Sequence, residues 1–311
     1  MRVAIVGAGI IGLYLAWKLS EKGNQVTVFE KREKIGKEAC SGLFSEKILK
    51  FVPESRKLIQ NQIESVLIYF PKHTLKIKFT KKFLVMNHYE LDNLVANLAQ
   101  KSGAKIFLKQ NISGNFFERL DFDKIIGCDG PLSEVRKSLE LKEPKFRLAI
   151  QGFVKEENYS NYVETWPTKS GFIWKIPRGK EVEYGIMESQ KRAKFFFEKF
   201  LEKNNLKPER IKAGLIPQGL IIPSNLKITL CGDAAGLTKP WSGGGVIWGL
   251  VAADIFLKNF PDFLKYKKEV EKFFLPKIIF SKVATKLVYF LGFKIPCFLP
   301  KNWQIENDFL V

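Results

Sequence analysis

The first thirty residues, MRVAIVGAGIIGLYLAWKLSEKGNQVTVFE, admit few folds. Residues 3–6 are four consecutive apolar residues, the mark of a strand buried on both faces. Gly7, Gly9 and Gly12 follow as G-x-G-x-x-G, residues 11–20 read as a helix, and residues 26–29 as a second strand ending at Glu30. The three glycines serve separate ends: a tight turn, close backbone approach to a pyrophosphate, and close packing of helix on strand. Glu30, with Lys31 beside it, stands where an acid binds ribose hydroxyls. A carboxylate there disfavours a 2′-phosphate, so the expected dinucleotide is FAD or NAD rather than NADP.

Two later stretches repeat the strand-to-glycine-to-helix grammar. Residues 231–250, CGDAAGLTKPWSGGGVIWGL, follow a short apolar strand and pass through a turn into Gly243, Gly244 and Gly245. A helix start at these glycines offers uncovered N–H groups and a partial positive charge. That suits an anion, or a ring that becomes anionic when reduced, as a flavin does. Asp233, after Gly232, can accept hydrogen bonds from sugar hydroxyls. A simple loop with a capped helix would look the same in isolation. Residues 122–136 hold a buried strand, then Asp129-Gly130, then a helix for which Ser133 is a suitable cap.

Between these stretches the pattern changes to alternation. Residues 65–70 and 74–80 predict a hairpin turning at Pro71-Lys72-His73, with His73 in the exposed turn. A short strand at 83–86, a helix over 89–102 and a strand over 104–108 come next. His88, before the helix, is a cofactor contact or a capping and packing residue. Residues 146–154, 161–166, 172–176 and 181–187 predict an antiparallel sheet with one covered face. The helix over 192–204 is expected to bury a broad stripe of Phe195, Phe196, Phe197, Phe200 and Leu201. The fold class is therefore α/β: a Rossmann-type dinucleotide lobe interleaved with an antiparallel-sheet lobe, plus a helical C-terminal tail. The first lobe takes residues 1–60, 84–145 and 214–260; the second takes 61–83 and 146–213; residues 261–311 form a basic, aromatic tail.

Composition narrows the partners. The 311 residues carry a net charge of +19. Lysine-rich surfaces occur in heat-adapted proteins, but usually with matching glutamate. The imbalance here points to anionic partners, and with no nucleic-acid motif these are expected to be anionic lipid or an acidic protein. Four cysteines, Cys40, Cys128, Cys231 and Cys297, have no metal-ligand spacing, and only two histidines exist, so no metal site is expected. Neither a signal peptide nor a membrane span is expected. Free thiols suit a reducing, cytoplasmic setting, with peripheral contact at the inner membrane face.

The stretch from Gly127 to Arg136, GCDGPLSEVR, resembles the second cofactor motif of the group A flavoprotein hydroxylases of p-hydroxybenzoate hydroxylase type, G-x-D-G-x-x-S-x-V-R. With the opening fingerprint and Gly232-Asp233 it gives three FAD motifs in that superfamily's order, and a glutathione-reductase-like FAD lobe. A narrower resemblance is carried by Gly214-Leu215-Ile216-Pro217, Gly232-Asp233-Ala234-Ala235-Gly236-Leu237, Pro240 and Gly243 to Gly245. These are similar to the geranylgeranyl reductase family, as is Phe172-x-Trp174-x-Ile176-Pro177 to its Y-x-W-x-F-P signature, here with a hydroxyl lost. Cys40-Ser41-Gly42 falls where archaeal members carry a cysteine near the flavin, and His88 falls where relatives commonly have arginine. The tail is shorter than in typical archaeal members.

The resemblance implies FAD-dependent reduction of isolated C=C bonds in geranylgeranyl chains of archaeal ether phospholipids or their precursors. A hydride from reduced flavin N5 and a proton would add across the bond. An isolated alkene has no carbonyl to polarise, so the site must align both donors and exclude water. Cys40 is the candidate for positioning the alkene or relaying the proton; it can equally be a small buried hydrophobe. Trp166, Phe172, Trp174, Pro177 and Trp241 are candidates for lining a prenyl tunnel, or for core. With no second nucleotide fingerprint, electrons come from transient NAD(P)H or an acidic ferredoxin-like carrier. Residues 280–291 place Phe280, Val283, Ala284, Leu287 and Leu291 on one helical face. That face meets a membrane surface or covers the pocket. The rival activity is an FAD monooxygenase of the same fold acting on a hydrophobic substrate.

Overall fold

In the computed structural model, residues 1–36, 39–112, 114 and 121–305 are described. The opening strand Arg2–Val6 lies at the centre of a five-stranded parallel sheet. Gln25–Phe29 pairs with one side of it, followed outward by Lys105–Phe107; Lys124–Gly127 pairs with the other side, followed by Ile228–Leu230. Val3, Ala4 and Ile5 are fully buried, as an apolar run in a two-sided parallel sheet requires. Helices Ile10–Glu21, His88–Lys101 and Val246–Asn259 share one hydrophobic core with this sheet.

The second sheet has nine strands and is mostly antiparallel. Its path runs Arg210–Gln218, Lys145–Val154, Val182–Glu188, Phe172–Pro177, Tyr162–Pro167, Ile59–Phe70, His73–Met86 and Asn302–Ile305, and Leu43–Ser45 also pairs with His73–Met86. Two pairings are parallel, Ile59–Phe70 with Tyr162–Pro167 and His73–Met86 with Asn302–Ile305. Strand alternation gives this sheet two unlike faces. Ile173, Tyr184, Ile186 and Trp166 pack under helix Ala193–Lys203. Trp174, Ile176, Met187, Phe172 and Ile216 cluster on the opposite, inner face.

Four local expectations change. The separate strands expected at 74–80 and 83–86 are one fourteen-residue strand, His73–Met86, whose end carries Leu84 and Met86 into the core of the parallel sheet. His73 begins this strand, and its Nε2 lies 3.1 Å from the Pro300 carbonyl oxygen, so it is not a free turn residue. Phe195 is 60% exposed; at 100° per residue, a helix cannot turn it inward together with Phe197. The tail is not wholly helical, since strand Asn302–Ile305 returns to the second sheet.

The tail helix Phe263–Lys294 spans 32 residues and contains Pro276. Phe274 packs on Trp248 of the cofactor-side core, with ring centroids 5.2 Å apart. Further along, Gly292 abuts the Phe70 ring, and Tyr289 donates its hydroxyl to the Gly171 carbonyl at 2.7 Å. One helix thus braces both sheets. No helix among the described residues is long and apolar enough to cross a membrane.

Candidate functional site

The glycine turn is built as its spacing dictates. Gly7 has φ +103°, and a Cβ there would strike the Cys128 carbonyl oxygen at 2.4 Å; a Cβ on Gly12 would lie 2.2 Å from the Gly7 oxygen. These two glycines allow strand, turn and helix to touch. Gly9 differs, because a Cβ on it would meet nothing within 4 Å, and the same holds for Gly130. Their backbones stay open to a ligand. Glu30 closes the floor. It is 3% exposed and accepts hydrogen bonds from Ala8 N at 2.8 Å, Arg32 N at 3.0 Å and Arg32 Nε at 2.9 Å. Burial opposes its charge, but the Arg32 side chain and these backbone donors prevail and hold its pKa below the usual carboxylate range. Lys31 is exposed; Arg32, overlooked in the sequence reading, is the cation on the acid.

The second and third motifs meet through one buried side chain. The Asp129 carboxylate accepts from Ser133 Oγ at 2.6 Å and from the Glu134 and Val135 amides, organising the start of helix Glu134–Ser138. Burial, the largest influence on Asp129, raises its pKa against these donors. Arg136 is fully buried. It donates to the Ala234 carbonyl at 2.8 Å, to the Pro131 carbonyl at 2.7 Å and to Glu143 at 2.5 Å. It therefore ties the loop of Asp129 to that of Gly232 and Asp233. Gly232 (φ +63°) lets this turn lie against Ile11 of the first helix. Asp233 flanks Gly245, where a Cβ would come within 2.9 Å of its Oδ1. Gly243, at φ +71°, lets the loop before helix Val246–Asn259 sit against Met187 and Ile216 of the inner sheet face. Pro240 accepts from Gln218 Nε2 at 3.2 Å.

Between cradle and sheet lies a buried polar junction. The Cys40-Ser41-Gly42 loop crosses it. Gly42, at φ +62°, is required because a Cβ would overlap the Met86 carbonyl oxygen. Arg178 clamps the loop: its guanidinium donates to the Ser41 carbonyl at 2.5 Å, the Met86 carbonyl at 3.0 Å, Gln60 at 2.9 Å and Glu183 at 2.9 Å. Gln151 Nε2 donates to the Cys40 carbonyl at 3.2 Å. Glu183 also accepts from Trp174 Nε1 at 2.9 Å. Burial pushes the Glu183 carboxyl up to about 7, against the pull of Arg178 and Trp174 and aided by the nearby Cys40. The Pro177-Arg178-Gly179-Lys180 stretch reads in sequence only as a surface turn, so Arg178 was missed; a basic residue directly after the substrate-sheet signature was the available signal.

His88 is buried within this junction, with Nε2 3.2 Å from Asp92 Oδ1 and its ring edge-on to Phe44. Burial alone would lower its pKa, but Asp92 and then Cys40 outweigh burial and raise it to about 10. His88 thus lies against a buried carboxylate and near the cysteine loop, a setting that favours its charged form. Of the aromatic candidates, Phe172 and Trp174 share the inner face at 5.8 Å. Trp166 does not join them: it pairs with Ile173 and stacks between Tyr69 and Phe200 under the helix on the far face. Pro177 also alternates away from that face, and its carbonyl accepts from Asn61. Trp241 is half-buried beside Trp248 at 5.8 Å. A cleft of about 560 Å³ opens where Arg32, Gly36, Ala39, Pro131, Gly214 and Leu215 converge. Among the described residues no cluster of metal-binding side chains occurs.

Residues 2–111 match the family described as FAD dependent oxidoreductase. The chain is 24% identical to the digeranylgeranylglycerophospholipid reductase of Methanococcus vannielii, over 92% of this chain and 87% of that one. It is 26% identical to the protein of the same name from Methanosarcina acetivorans, over 81% and 73%. Among solved structures, the geranylgeranyl bacteriochlorophyll reductase-like protein of Thermoplasma acidophilum matches with a TM-score of 0.77 at 22% identity, over 92% of this chain and 86% of that one. A flavin-dependent halogenase from Brevundimonas matches with a TM-score of 0.75 at 12% identity, over 99% and 80%, which is a likeness of fold alone. Open backbone at Gly9 and Gly130, the floor at Glu30, the turn at Asp233 and the helix start after Gly245 fit FAD. The chain is an FAD-dependent oxidoreductase, similar in sequence to proteins named digeranylgeranylglycerophospholipid reductase.

Proposed function

We propose that this protein saturates isolated C=C bonds in the geranylgeranyl chains of an ether phospholipid or its precursor. The observation that carries the reading is the junction: the Cys40 loop is clamped by Arg178 between the cofactor cradle and the inner sheet face bearing Phe172 and Trp174. The relatives' names support the same substrate class. The chemistry that FAD would supply there, when bound and reduced, is a hydride for one alkene carbon. The chain must then bring a proton to the other carbon and keep water out. Cys40, on the loop between cradle and inner face, supplies that proton from its thiol. His88, kept charged by Asp92, is the group that returns a proton to the thiolate. Gly9, Gly130, Glu30 and Asp233 would hold the dinucleotide on the turn that Gly7 and Gly12 shape, and the amides after Gly245 would suit the flavin edge that becomes anionic on reduction. The +19 charge favours an acidic ferredoxin-like donor over transient NAD(P)H. A lipid substrate brings such an enzyme to the cytoplasmic membrane face.

The test is anaerobic. The dithionite-reduced holoprotein is mixed with a geranylgeranyl phospholipid while flavin absorbance and lipid mass are followed. Flavin colour returning as the lipid gains hydrogens in pairs supports the reading. Flavin that stays reduced until oxygen enters favours the monooxygenase. A Cys40→Ala variant that binds FAD yet turns over at the wild-type rate would remove Cys40 from the proposed relay.

A further inference from the structure

The tail helix Phe263–Lys294 has one buried face, formed by Phe263, Tyr266, Val270, Phe274, Ile278, Ser281 and Gly292. The opposite face of a tail helix is expected to be polar. Here its second half is apolar. Ile279 is 62% exposed, Val283 61%, Leu287 55% and Phe290 55%, with Leu275 and Phe293 also exposed. At 100° per residue these six fall within an arc of roughly 120° centred on the solvent side. Phe298, just beyond the helix, is exposed as well. A contiguous patch of this kind marks an interaction surface rather than scattered surface leucines.

Charge identifies the occupant. The helix holds eight lysines against two glutamates. In its first half Lys265, Lys268 and Lys272 occupy the solvent sector that turns apolar after Leu275. Lys282, Lys286 and Lys294 are exposed around the apolar stripe itself. Both glutamates are engaged locally: Glu269 accepts from Asn259 Nδ2 at 2.6 Å, and Glu271 lies 3.9 Å from Lys267. A shallow groove of about 630 Å³ runs past Leu264, Lys267, Lys268, Lys272, Leu275 and Pro276, with Glu271 on its wall. Two copies meeting through this face would set lysine against lysine. An anionic bilayer instead accepts the apolar side chains below its headgroups and pairs the lysines with phosphates. The helix cannot span that bilayer, so it would lie along it.

We propose that the solvent face of Phe263–Lys294 is the seat by which this protein lies on an anionic lipid bilayer, with Ile279, Val283, Leu287 and Phe290 inserted and the flanking lysines on phosphates. The proposal extends the lipid reading above and names its surface, but vesicle binding requires no turnover. A protein that binds vesicles and reduces no lipid would leave the seat intact and remove only the reductase.

The experiment is flotation of FAD-loaded protein with vesicles of phosphatidylcholine alone or of equal parts phosphatidylcholine and phosphatidylglycerol. Wild type should float with the anionic vesicles and remain behind with the neutral ones, and binding should weaken with salt. Val283→Glu with Leu287→Glu should lower the partition constant by more than about tenfold, with flavin absorbance and circular dichroism unchanged. Lys282→Gln with Lys286→Gln should lower it by roughly twenty-five-fold, from about fivefold per lysine. Equal binding to both vesicle types, or flotation unaffected by the glutamates, overturns the proposal. Light scattering that shows a wild-type dimer turned monomer by the glutamates, without vesicle binding, also overturns it and assigns the face to a second copy.

Discussion

The cofactor cradle and the polar junction beside it lie within one molecule and are built on opposite principles. The cradle is backbone: glycines at positive φ, turn amides and helix starts, with Glu30 and Arg136 as its buried anchors. The junction is side chain: Arg178, Glu183, Gln151, His88 and Asp92 converge on Cys40 from four separate elements. Backbone sterics are local, so the cradle tolerates little change yet appears in contiguous motifs. Buried charges satisfy one another across the fold, so the junction is cooperative and leaves no motif.

The two regions should fail differently. The largest effect is expected at Gly12→Val, which drives a side chain onto the Gly7 carbonyl. Purified protein should carry essentially no flavin; retention of stoichiometric flavin would show that the cradle has slack and break the contrast. Next comes Arg178→Met. It removes the cation facing buried Glu183 and should cost about 3–5 kcal/mol above about pH 7, where that carboxyl is charged, read as a lowered denaturation midpoint. Adding Glu183→Gln should recover part of that loss, because the second change removes the stranded charge; strict additivity would deny the coupling.

A pH scan of unfolding sharpens the same point. The folded chain holds a proton on Glu183 up to about pH 7, whereas the unfolded carboxyl releases it near 4.5, so stability should fall as pH rises through that window. His88, raised to about 10 from 6.5, contributes stability that is complete below 6.5 and lost toward 10. Glu188, lowered to about 2 by Ser170 and Thr168 against the opposing effect of burial, contributes stability lost below 4.5. Greatest stability is therefore expected near pH 4.5, and Glu183→Gln should flatten the decline from there up to 7. The smallest effect is at Asn87, whose side chain caps the helix carrying His88 by accepting from Tyr89 N at 3.0 Å. Asn87→Ala should cost about 1 kcal/mol, seen as a melting temperature lower by roughly 2–4 °C.

What could be read from the sequence follows this division. The parallel sheet, its glycine turns and Glu30 were legible because strand period and positive-φ positions are local constraints. The outer assignment of Trp166 was not, since facing depends on register, and a one-residue step along a strand reverses it. Arg178 looked like a turn residue because its carbonyl partners at Ser41 and Met86 lie more than ninety positions away in the chain. The apolar face of the tail helix was visible as a pattern, but only packing decides which face is buried. Of the two readings left open for that face, a membrane surface or a cover for the pocket, the exposure of Phe280, Val283 and Leu287 removes the second.

The order of strands in the parallel sheet carries a further consequence, for how the protein is made. Arg2–Val6 becomes the centre of the sheet only when Lys124–Gly127, made more than a hundred residues later, pairs with it, and Ile228–Leu230 must then close the edge. Arg136 has its Ala234 acceptor only after that. At 5–20 residues per second, the nascent glycine turn waits on the order of ten seconds or more for its far wall. Flavin capture is therefore expected to wait until the third motif, more than two hundred residues beyond the first, has been made.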